Sequence, residues 1–271
     1  MTNAESPSTT PDGSRVPALS YFFPAHDEAE NIGPLVAEAL AELPAIAERF
    51  EIICVDDGSR DGTAEMADRL AAEHPDIVHA VHHPANRGYG AAVRTGLRAA
   101  RYPLVCFTDG DRQFRIRDLA PLVARLQQGE RTGAPVDVVA GYRLRRADPP
   151  VRLAYARFYR ACLRLFFGLD VRDPDCACKL YRRSALEGVC VESGGAFLSA
   201  ELLIKVRARG GRFAEQGVPH YPRIAGRASG ADPRVVARAV RDFWALRLRL
   251  WVDRRKALGR GTPILAVSAD E

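Results

Sequence analysis

Over residues 19–141, short runs of apolar residues alternate with longer stretches of helical periodicity. Short apolar runs bounded by turn residues predict buried strands, and apolar spacings of three and four predict amphipathic helices. Their alternation predicts βαβ units in an α/β domain with a largely parallel sheet. We expect strands at 19–23, 51–55, 77–81, 104–107 and 136–141. Pro24 is expected to end the first strand, and the first helix is expected to extend to Glu48.

The fourth run, 104–107, is followed by two carboxylates separated by one residue, Asp109 and Asp111. In open α/β sheets, ligands bind at the carboxyl ends of the parallel strands. Two carboxylates held together there repel each other unless a cation lies between them, and oxygen ligands suit Mg²⁺ or Mn²⁺. The pair therefore indicates a metal site, and the alternative interpretation is an acidic turn in solvent.

Polar clusters follow three of the predicted strands, at 24–31, 56–61 and 109–113. In a parallel sheet these strand ends lie side by side, where carboxylates can accept hydrogen bonds from base and ribose and can hold a metal on a diphosphate. The first strand is not followed by G-x-G-x-x-G, and no Walker A lysine loop is present, so dinucleotide-binding and P-loop functions are disfavoured. The convergence favours a site that binds base, ribose and a metal-bound diphosphate over solvated turns.

At this level of detail the chain resembles the inverting family 2 glycosyltransferases of the GT-A fold, and among them the dolichol- or polyprenyl-phosphate sugar synthases. The resemblance covers residues 19 to 230. Its motifs are the 23–32 opening (Asp27 where Asn is usual), V-D-D-G-S-R-D-G-T at 55–63, N-R-G-Y-G-A-A at 86–92, D-x-D-x-Q at 109–113, and D-x-x-x-x-x-K at 173–179. Ala177 and Cys178 replace the family's Gly and Phe before Lys179.

The resemblance implies a Rossmann-like, mostly parallel sheet flanked by helices, with a C-terminal acceptor-side region, and it implies roles for individual residues. The implied donor-binding residues are Pro24, Ala25, Asp27, Glu28, Asp56, Asp57, Arg87, Gly88, Asp109 and Gly110. The implied ligands of Mg²⁺ or Mn²⁺ are Asp109, Asp111 and Gln113. The implied acceptor residues are Asp173, Lys179, Arg223, Arg227 and Ser229. The implied catalytic residues are Asp111, Lys179, Arg223, Arg227 and Glu201.

These roles imply metal-dependent, inverting transfer of a sugar from GDP-mannose or a UDP-hexose to a polyprenyl phosphate. A phosphate acceptor is already an anion, so it needs cations rather than a strong base. Glu201 is the candidate base where the acceptor is a hydroxyl, and its alternative interpretation is a carboxylate on a helix surface. Two other functions stay open: transfer from the same donor to a soluble hydroxyl acceptor, and nucleotidyl transfer.

Outside the GT-A domain, expected at 18–232 with its nucleotide-sugar half ending near residue 141, the sequence predicts a disordered leader at 1–17 and a flexible tail at 259–271. Helices at 151–167 and 233–258 combine arginine with large apolar residues, including Trp244 and Trp251. Such basic amphipathic helices are typical of membrane interfaces, although a helix packed on the core with an arginine-rich solvent face has the same pattern.

The net charge of +5 permits an anionic partner, but no nucleic-acid-binding motif is present. The six cysteines form no zinc pattern and are expected to be reduced. With no apolar run long enough for a span and no signal peptide, we expect a cytoplasmic protein that associates peripherally with the inner face of an anionic membrane.

Overall fold

A computed structural model of the chain describes residues 15–144, 150–222 and 233–252. Seven strands form one sheet in the order β3-β2-β1-β4-β6-β5-β7. All neighbouring strands are parallel except β6, which runs antiparallel to both β4 and β5. The fold is therefore the largely parallel α/β sheet that the alternation predicts.

The helices and strands follow one another in the expected order. Their bounds are β1 Val16–Ala25, α1 Ala29–Glu42, β2 Ala47–Asp56, α2 Thr63–Glu73, β3 Val78–His82, α3 Tyr89–Ala99, β4 Leu104–Phe107, α4 Ala120–Arg131, β5 Val138–Arg143, α5 Pro150–Phe167, β6 Lys179–Arg182, α6 Leu198–Ala208, β7 Phe213–Val218 and α7 Pro233–Val252. Single 3₁₀ turns occupy Leu43–Ala45, Ile116–Leu119 and Arg183–Leu186.

Several predicted boundaries were wrong, and three of them lie in the first 47 residues. β1 starts at Val16, so the end of the expected leader belongs to the sheet, and residues 1–14 lie outside the described ranges. Pro24 lies inside β1 and does not end it. The pairing of β1 with β4 ends at Phe22, so the N–H that Pro24 lacks would fall beyond that ladder. The first helix stops at Glu42, where Pro44 enters a 3₁₀ turn and β2 begins directly after it.

Both faces of the sheet are buried, as expected for parallel strands covered by helices. Tyr21 and Phe23 pack on the face covered by α1, α2 and α4. Phe22 points to the opposite face, where its ring stacks on Phe107 at a centroid distance of 4.9 Å. Helix α3 lies so close to that face that a Cβ on Gly96 would be 2.2 Å from the Phe22 ring. The position of α3 over the central strands is therefore tightly constrained.

Helices α5 and α7 pack against each other through aromatic side chains. Phe166 and Phe167 contact Phe243 at centroid distances of 5.7 and 4.9 Å. The apolar arc predicted for α7 is divided: Phe243 is buried, whereas Trp244 and Trp251 are 53% and 75% exposed. No helix in the described ranges is long and apolar enough to cross a membrane. The expected end of α7 at residue 258 and the tail lie outside those ranges.

Candidate active site at the carboxyl ends of the strands

The turns after β1 and β2 are joined by hydrogen bonds between their polar groups. The Asp27 N–H donates to Ser59 Oγ at 3.0 Å, and the Arg60 N–H donates to Asp27 Oδ1 at 2.9 Å. The Glu28 N–H donates to Thr63 Oγ1 at 2.9 Å. Asp27 has a φ of 55°, a left-handed conformation that Asp and Asn adopt more readily than most residues. The two acidic clusters therefore form one wall.

This wall borders a cleft with a volume of about 680 Å³. Asp56 lies in its lining, where its carboxylate accepts hydrogen bonds from the Ser59 N–H at 3.0 Å and from His82 Nδ1 at 3.1 Å. Burial would raise the pKa of Asp56, but the hydrogen bonds from Ser59 and His82 outweigh it and lower the pKa. The cleft therefore presents an ionised carboxylate that can accept hydrogen bonds. Its lining includes His26, Asp27, Arg60, Asp68, His82 and Asn86.

His82 joins two carboxylates at the edge of the cleft. Its Nδ1 contacts Asp56, and its Nε2 lies 2.9 Å from Asp68 Oδ1. Burial would lower the pKa of His82, but the bonds to Asp68 and Asp56 raise it above the usual 6.5. Sequence reasoning missed His82, although its position at the end of β3, beside the end of β2, was a usable signal.

Asp57, expected to bind the donor, is buried and supports the start of α3 instead. Its Oδ1 is 2.6 Å from His83 Nδ1 and accepts the Arg87 N–H, while its Oδ2 accepts the Gly88 N–H at 2.7 Å. These partners occupy both carboxylate oxygens. Gly88 adopts a φ of 87° with extended ψ, a conformation open to glycine alone. Asp57 therefore fixes the turn of Arg87 and Gly88, which directly follows Asn86 in the lining of the cleft.

The Asp109–Gln113 turn follows β4 and lies beside the end of β1. A Cβ on Gly110 would be 2.8 Å from Pro24 O, so only glycine fits this approach. Asp111 is buried and accepts the Gln113 N–H at 3.1 Å. Tyr89 of α3 lies beside Asp109; burial, and then the charge of this carboxylate, raise the pKa of Tyr89 well above its usual value. Tyr89, which sequence reasoning missed, lies in the N-R-G-Y-G motif.

The expected metal ligands are suited to a hard cation. Asp109, Asp111 and Gln113 offer two carboxylates and one amide oxygen, and Mg²⁺ and Mn²⁺ bind such oxygen donors together with substrate phosphates. In the described ranges, no group of three or more His, Cys, Asp or Glu side chains forms a metal site by itself. The site thus fits a cation whose coordination a bound diphosphate completes.

On the expected acceptor side, two predicted residues have other partners. Asp173 accepts hydrogen bonds from Arg143 Nε and Nη2 at 2.6 and 2.8 Å, and Arg143 was not predicted. Lys179 is fully buried: it donates to Cys176 O and to Ser199 Oγ at 3.1 Å, and burial lowers its pKa. In this geometry the Lys179 amine is turned into the protein, away from an acceptor phosphate. Arg223, Arg227 and Ser229 lie outside the described residues.

Glu201, the candidate base, is buried inside the protein rather than on a helix surface or in the cleft. Its carboxylate lies 2.8 Å from Lys205 Nζ and accepts the Glu192 and Ser193 N–H groups at 3.1 and 2.8 Å. Burial would raise the pKa of Glu201, but the Lys205 charge and these hydrogen bonds lower it. A low-pKa carboxylate with these partners is poorly suited to act as a base.

Comparison with known proteins adds a family match to this geometry. The family model described as Glycosyl transferase family 2 matches residues 20–190. Glycosyltransferase AglD of Haloferax volcanii is 32% identical over 260 residues, which cover 90% of this chain and 40% of the relative. Dodecaprenyl-phosphate galacturonate synthase of Rhizobium johnstonii is 30% identical over 63% of this chain and 49% of its own length. The chain thus spans less than half the length of these relatives.

Solved structures share the fold at lower sequence identity. Glucosyl-3-phosphoglycerate synthase from Mycobacterium tuberculosis, in complex with phosphoglyceric acid, superposes with a TM-score of 0.67 at 21% identity, covering 89% of this chain and 85% of that one. A complex of the same enzyme with Mn²⁺, UDP and glucosyl-3-phosphoglycerate superposes with a TM-score of 0.64 at 20% identity, covering 96% of this chain and 88% of that one. Mannosyl-3-phosphoglycerate synthase from Rubrobacter xylanophilus superposes with a TM-score of 0.64 at 20% identity, covering 88% of this chain and 75% of that one.

Proposed function

The chain belongs to glycosyl transferase family 2, and on that premise we propose that it transfers a hexose from a nucleotide diphosphate sugar to a polyprenyl phosphate. The observation that carries the proposal is the convergence of the Asp56 cleft and the Asp109–Asp111 pair at one edge of the sheet. A nucleotide needs hydrogen-bond acceptors for its base and ribose, and its diphosphate needs positive charge. Asp56 offers a hydrogen-bond acceptor directly, and the Asp109–Asp111 pair would supply positive charge by holding a cation.

The donor fits the cleft with its base near Asp56 and its diphosphate towards Asp109. Asp27 lines this cleft, and we propose that Glu28, the next residue in the same turn, binds the ribose. The start of α3 adds the positive end of a helix dipole, which favours an anion nearby. These contacts would hold the sugar at the mouth of the cleft.

A divalent cation fits Asp109, Asp111 and Gln113, where it would act as a Lewis acid on the diphosphate. Inverting transfer is a direct displacement. An acceptor phosphate oxygen forms a bond to the anomeric carbon as the bond from that carbon to the diphosphate oxygen breaks, and the nucleoside diphosphate leaves with the electron pair. The acceptor oxygen carries no proton to be removed, which agrees with the buried, ion-paired state of Glu201.

The names of the relatives support a lipid phosphate as acceptor, since one of them is a dodecaprenyl-phosphate galacturonate synthase and others are undecaprenyl-phosphate 4-deoxy-4-formamido-L-arabinose transferases from Pseudomonas. The soluble-acceptor alternative is supported by the M. tuberculosis enzyme crystallised with phosphoglyceric acid. Both acceptors present a phosphate. They differ in the attacking group, which is the phosphate of the lipid acceptor and a hydroxyl of the soluble one, and in whether the protein must reach a bilayer.

Helices α5 and α7 support the lipid acceptor because both expose large apolar side chains next to arginine. On α5, Tyr155 and Phe158 are each 70% exposed, and the exposed Arg157 lies between them. On α7, Trp244 and Trp251 are exposed on the same helix as Arg241. Each basic residue near anionic lipid contributes about 1 kcal/mol, which salt screens. We therefore propose peripheral attachment to an anionic membrane through these two helices.

The transfer test measures release of UDP or GDP from a panel of nucleotide sugars, with polyprenyl phosphate, 3-phosphoglycerate or no acceptor. We expect polyprenyl phosphate to stimulate release and chelator to abolish it. Asp111→Asn is expected to lower the rate about a hundredfold, the scale of losing one key electrostatic contact. Asp76→Asn, an exposed carboxylate at the opposite end of the sheet, is the control and keeps the wild-type rate. Full activity in chelator would contradict metal dependence.

The membrane test is co-sedimentation with anionic and neutral liposomes at increasing salt. We expect binding to anionic vesicles that weakens with salt and is lost in the Trp244→Ala, Trp251→Ala double variant. Leu144→Ala removes an exposed apolar residue outside both helices and should leave binding unchanged. A protein that stays in the supernatant at low salt would favour the soluble acceptor.

A further inference from the structure

Glu201 and Lys205 lie one turn apart on α6, and both are buried, with 1% of each exposed. Their carboxylate and amine are 2.8 Å apart. Each group also binds the backbone of the preceding segment, residues 190–195. Lys205 Nζ donates to Cys190 O at 2.5 Å, and Glu201 accepts the Glu192 and Ser193 N–H groups. A buried ion pair with these additional hydrogen bonds fixes the backbone it binds.

The other side of segment 190–195 rests on the first turn of α3. The Gly90 N–H donates to Gly194 O at 3.1 Å, and Arg94 Nη1 donates to Ser193 O at 2.9 Å. The approach is so close that a Cβ on Gly90 would be 2.4 Å from Ser193 O. The position of Tyr89, adjacent to Gly90, is therefore set partly by this segment.

The Tyr89 side chain lies beside Asp109, one of the two carboxylates at the expected cation position. A continuous set of contacts thus runs from α6, through Ser193 and Gly194, to Tyr89 and Asp109. Asp109 needs a fixed orientation if it is to share a cation with Asp111. The reason is that contacts which orient the ligands of a metal strongly affect how tightly the protein binds that metal.

We propose that Glu201 is a positioning residue which, together with Lys205, holds segment 190–195 against α3 and so orients Asp109 through Tyr89. The proposal rests on the proposed function for its activity readout, but its structural readouts are independent of any transfer. A base at Glu201 would need an oxygen open to the acceptor, and both oxygens face Lys205 and two backbone amides instead.

The test compares Glu201→Gln with a matched control, Glu51→Gln. Glu51 is a fully buried carboxylate that pairs with Arg101 at 2.7 Å and accepts the Ser20 hydroxyl, in β2 and away from the site. Both variants are expected to lower Tm. Glu201→Gln alone is expected to weaken binding of Mn²⁺ with UDP or GDP about tenfold, which corresponds to about 1.4 kcal/mol, and to speed hydrogen exchange of the Gly90 amide.

Two further variants separate positioning from catalysis. Tyr89→Phe should weaken Mn²⁺ affinity to a similar degree, and combining it with Glu201→Gln should add little, because both act through the same contacts. Lys205→Met should reproduce the Glu201→Gln losses, and the pH–rate profile should keep its shape in each variant. A base would instead lose about a hundredfold or more in kcat, together with one limb of that profile, at unchanged Mn²⁺ affinity.

Unchanged Mn²⁺ affinity together with unchanged Gly90 exchange in Glu201→Gln would overturn the proposal, as would equal effects from Glu51→Gln. If the wild type transfers no sugar and binds neither nucleotide, the proposed function fails. Affinity for Mn²⁺ alone and the exchange rate at Gly90 still decide the role of Glu201.

Discussion

Replacing Gly90 by alanine tests the contact between α3 and segment 190–195 most directly. The new Cβ would lie 2.4 Å from Ser193 O and 2.9 Å from the Cα and carbonyl carbon of Gly194, whereas ordinary contact begins at 3.4 Å. The atoms in the way belong to the backbone, so no side chain can rotate to make room. Either the segment moves or α3 does.

The magnitude follows from two opposing effects. Overpacking of this kind costs about 1–3 kcal/mol, while alanine in place of glycine in a helix favours folding by at most about 1 kcal/mol. We expect a net loss of about 1–2 kcal/mol for Gly90→Ala. Domains of this size lose about 2–4 °C in Tm per kcal/mol, so the decrease is measurable. Because Tyr89 moves with Gly90, the rise in Tm on adding Mn²⁺ and UDP or GDP should also shrink.

The matched control is Gly33→Ala in α1, where the new Cβ meets only Met66 Sδ at 3.8 Å. With room available, the helical preference of alanine should raise stability by up to about 1 kcal/mol. Differential scanning fluorimetry with and without Mn²⁺ and nucleotide measures both variants. A Gly90→Ala protein that is as stable as Gly33→Ala, with an undiminished ligand response, would refute the reasoning about this contact.

Three further predictions concern charged groups. The raised pKa of His82 means that its stabilising bonds to Asp56 and Asp68 are fully present below pH 6.5 and are lost as pH rises through the raised pKa; the Tm difference between wild type and His82→Gln should therefore shrink with rising pH, and a constant difference would contradict this. Asp56→Ala should weaken nucleotide-sugar binding more than acceptor binding, as titration calorimetry can measure; unchanged donor affinity would mean that the nucleotide lies elsewhere. Arg143→Met removes the bidentate partner of the buried Asp173 and should cost about 3–5 kcal/mol in urea unfolding, while a loss below about 1 kcal/mol would mean that solvent screens the pair.

Hydrophobic patterning predicted the fold well because the strands of a parallel sheet are apolar throughout. The run at 104–107 became β4 with the predicted bounds, and all five predicted strands are present. The errors in strand and helix boundaries lie where the local preference of a residue and its place in the fold predict different structures. Pro24 is a strand breaker in general, but its place beyond the β4 ladder removes the penalty. Pro44 ended the first helix early although the apolar spacing continued.

For the site, sequence could place residues on strand ends but could not say which way they point. Asp56 and Asp57 are adjacent in one motif, yet Asp56 lines the cleft and Asp57 supports α3, since successive residues at a strand end face opposite sides. Lys179 and Glu201 were expected in the site, but the structure buries both. Glu201 pairs with Lys205 one turn further along α6, and Lys179 donates to Cys176 O and to Ser199, which the fold brings to it. The sequence pattern gave no sign of this burial.

The antiparallel strand β6 has a mechanical consequence. Through its pairs with β4 and β5, it joins β3, β2, β1 and β4 to β5 and β7 in one hydrogen-bonded sheet. The strands of the described ranges accordingly form one sheet, and not two lobes that rotate about a linker as in enzymes that close by hinge motion. On the proposed function, opening and closing around substrates would come from the segments that connect the strands. Changes in the proposed acceptor loops would then leave the sheet beside the proposed donor cleft undisturbed.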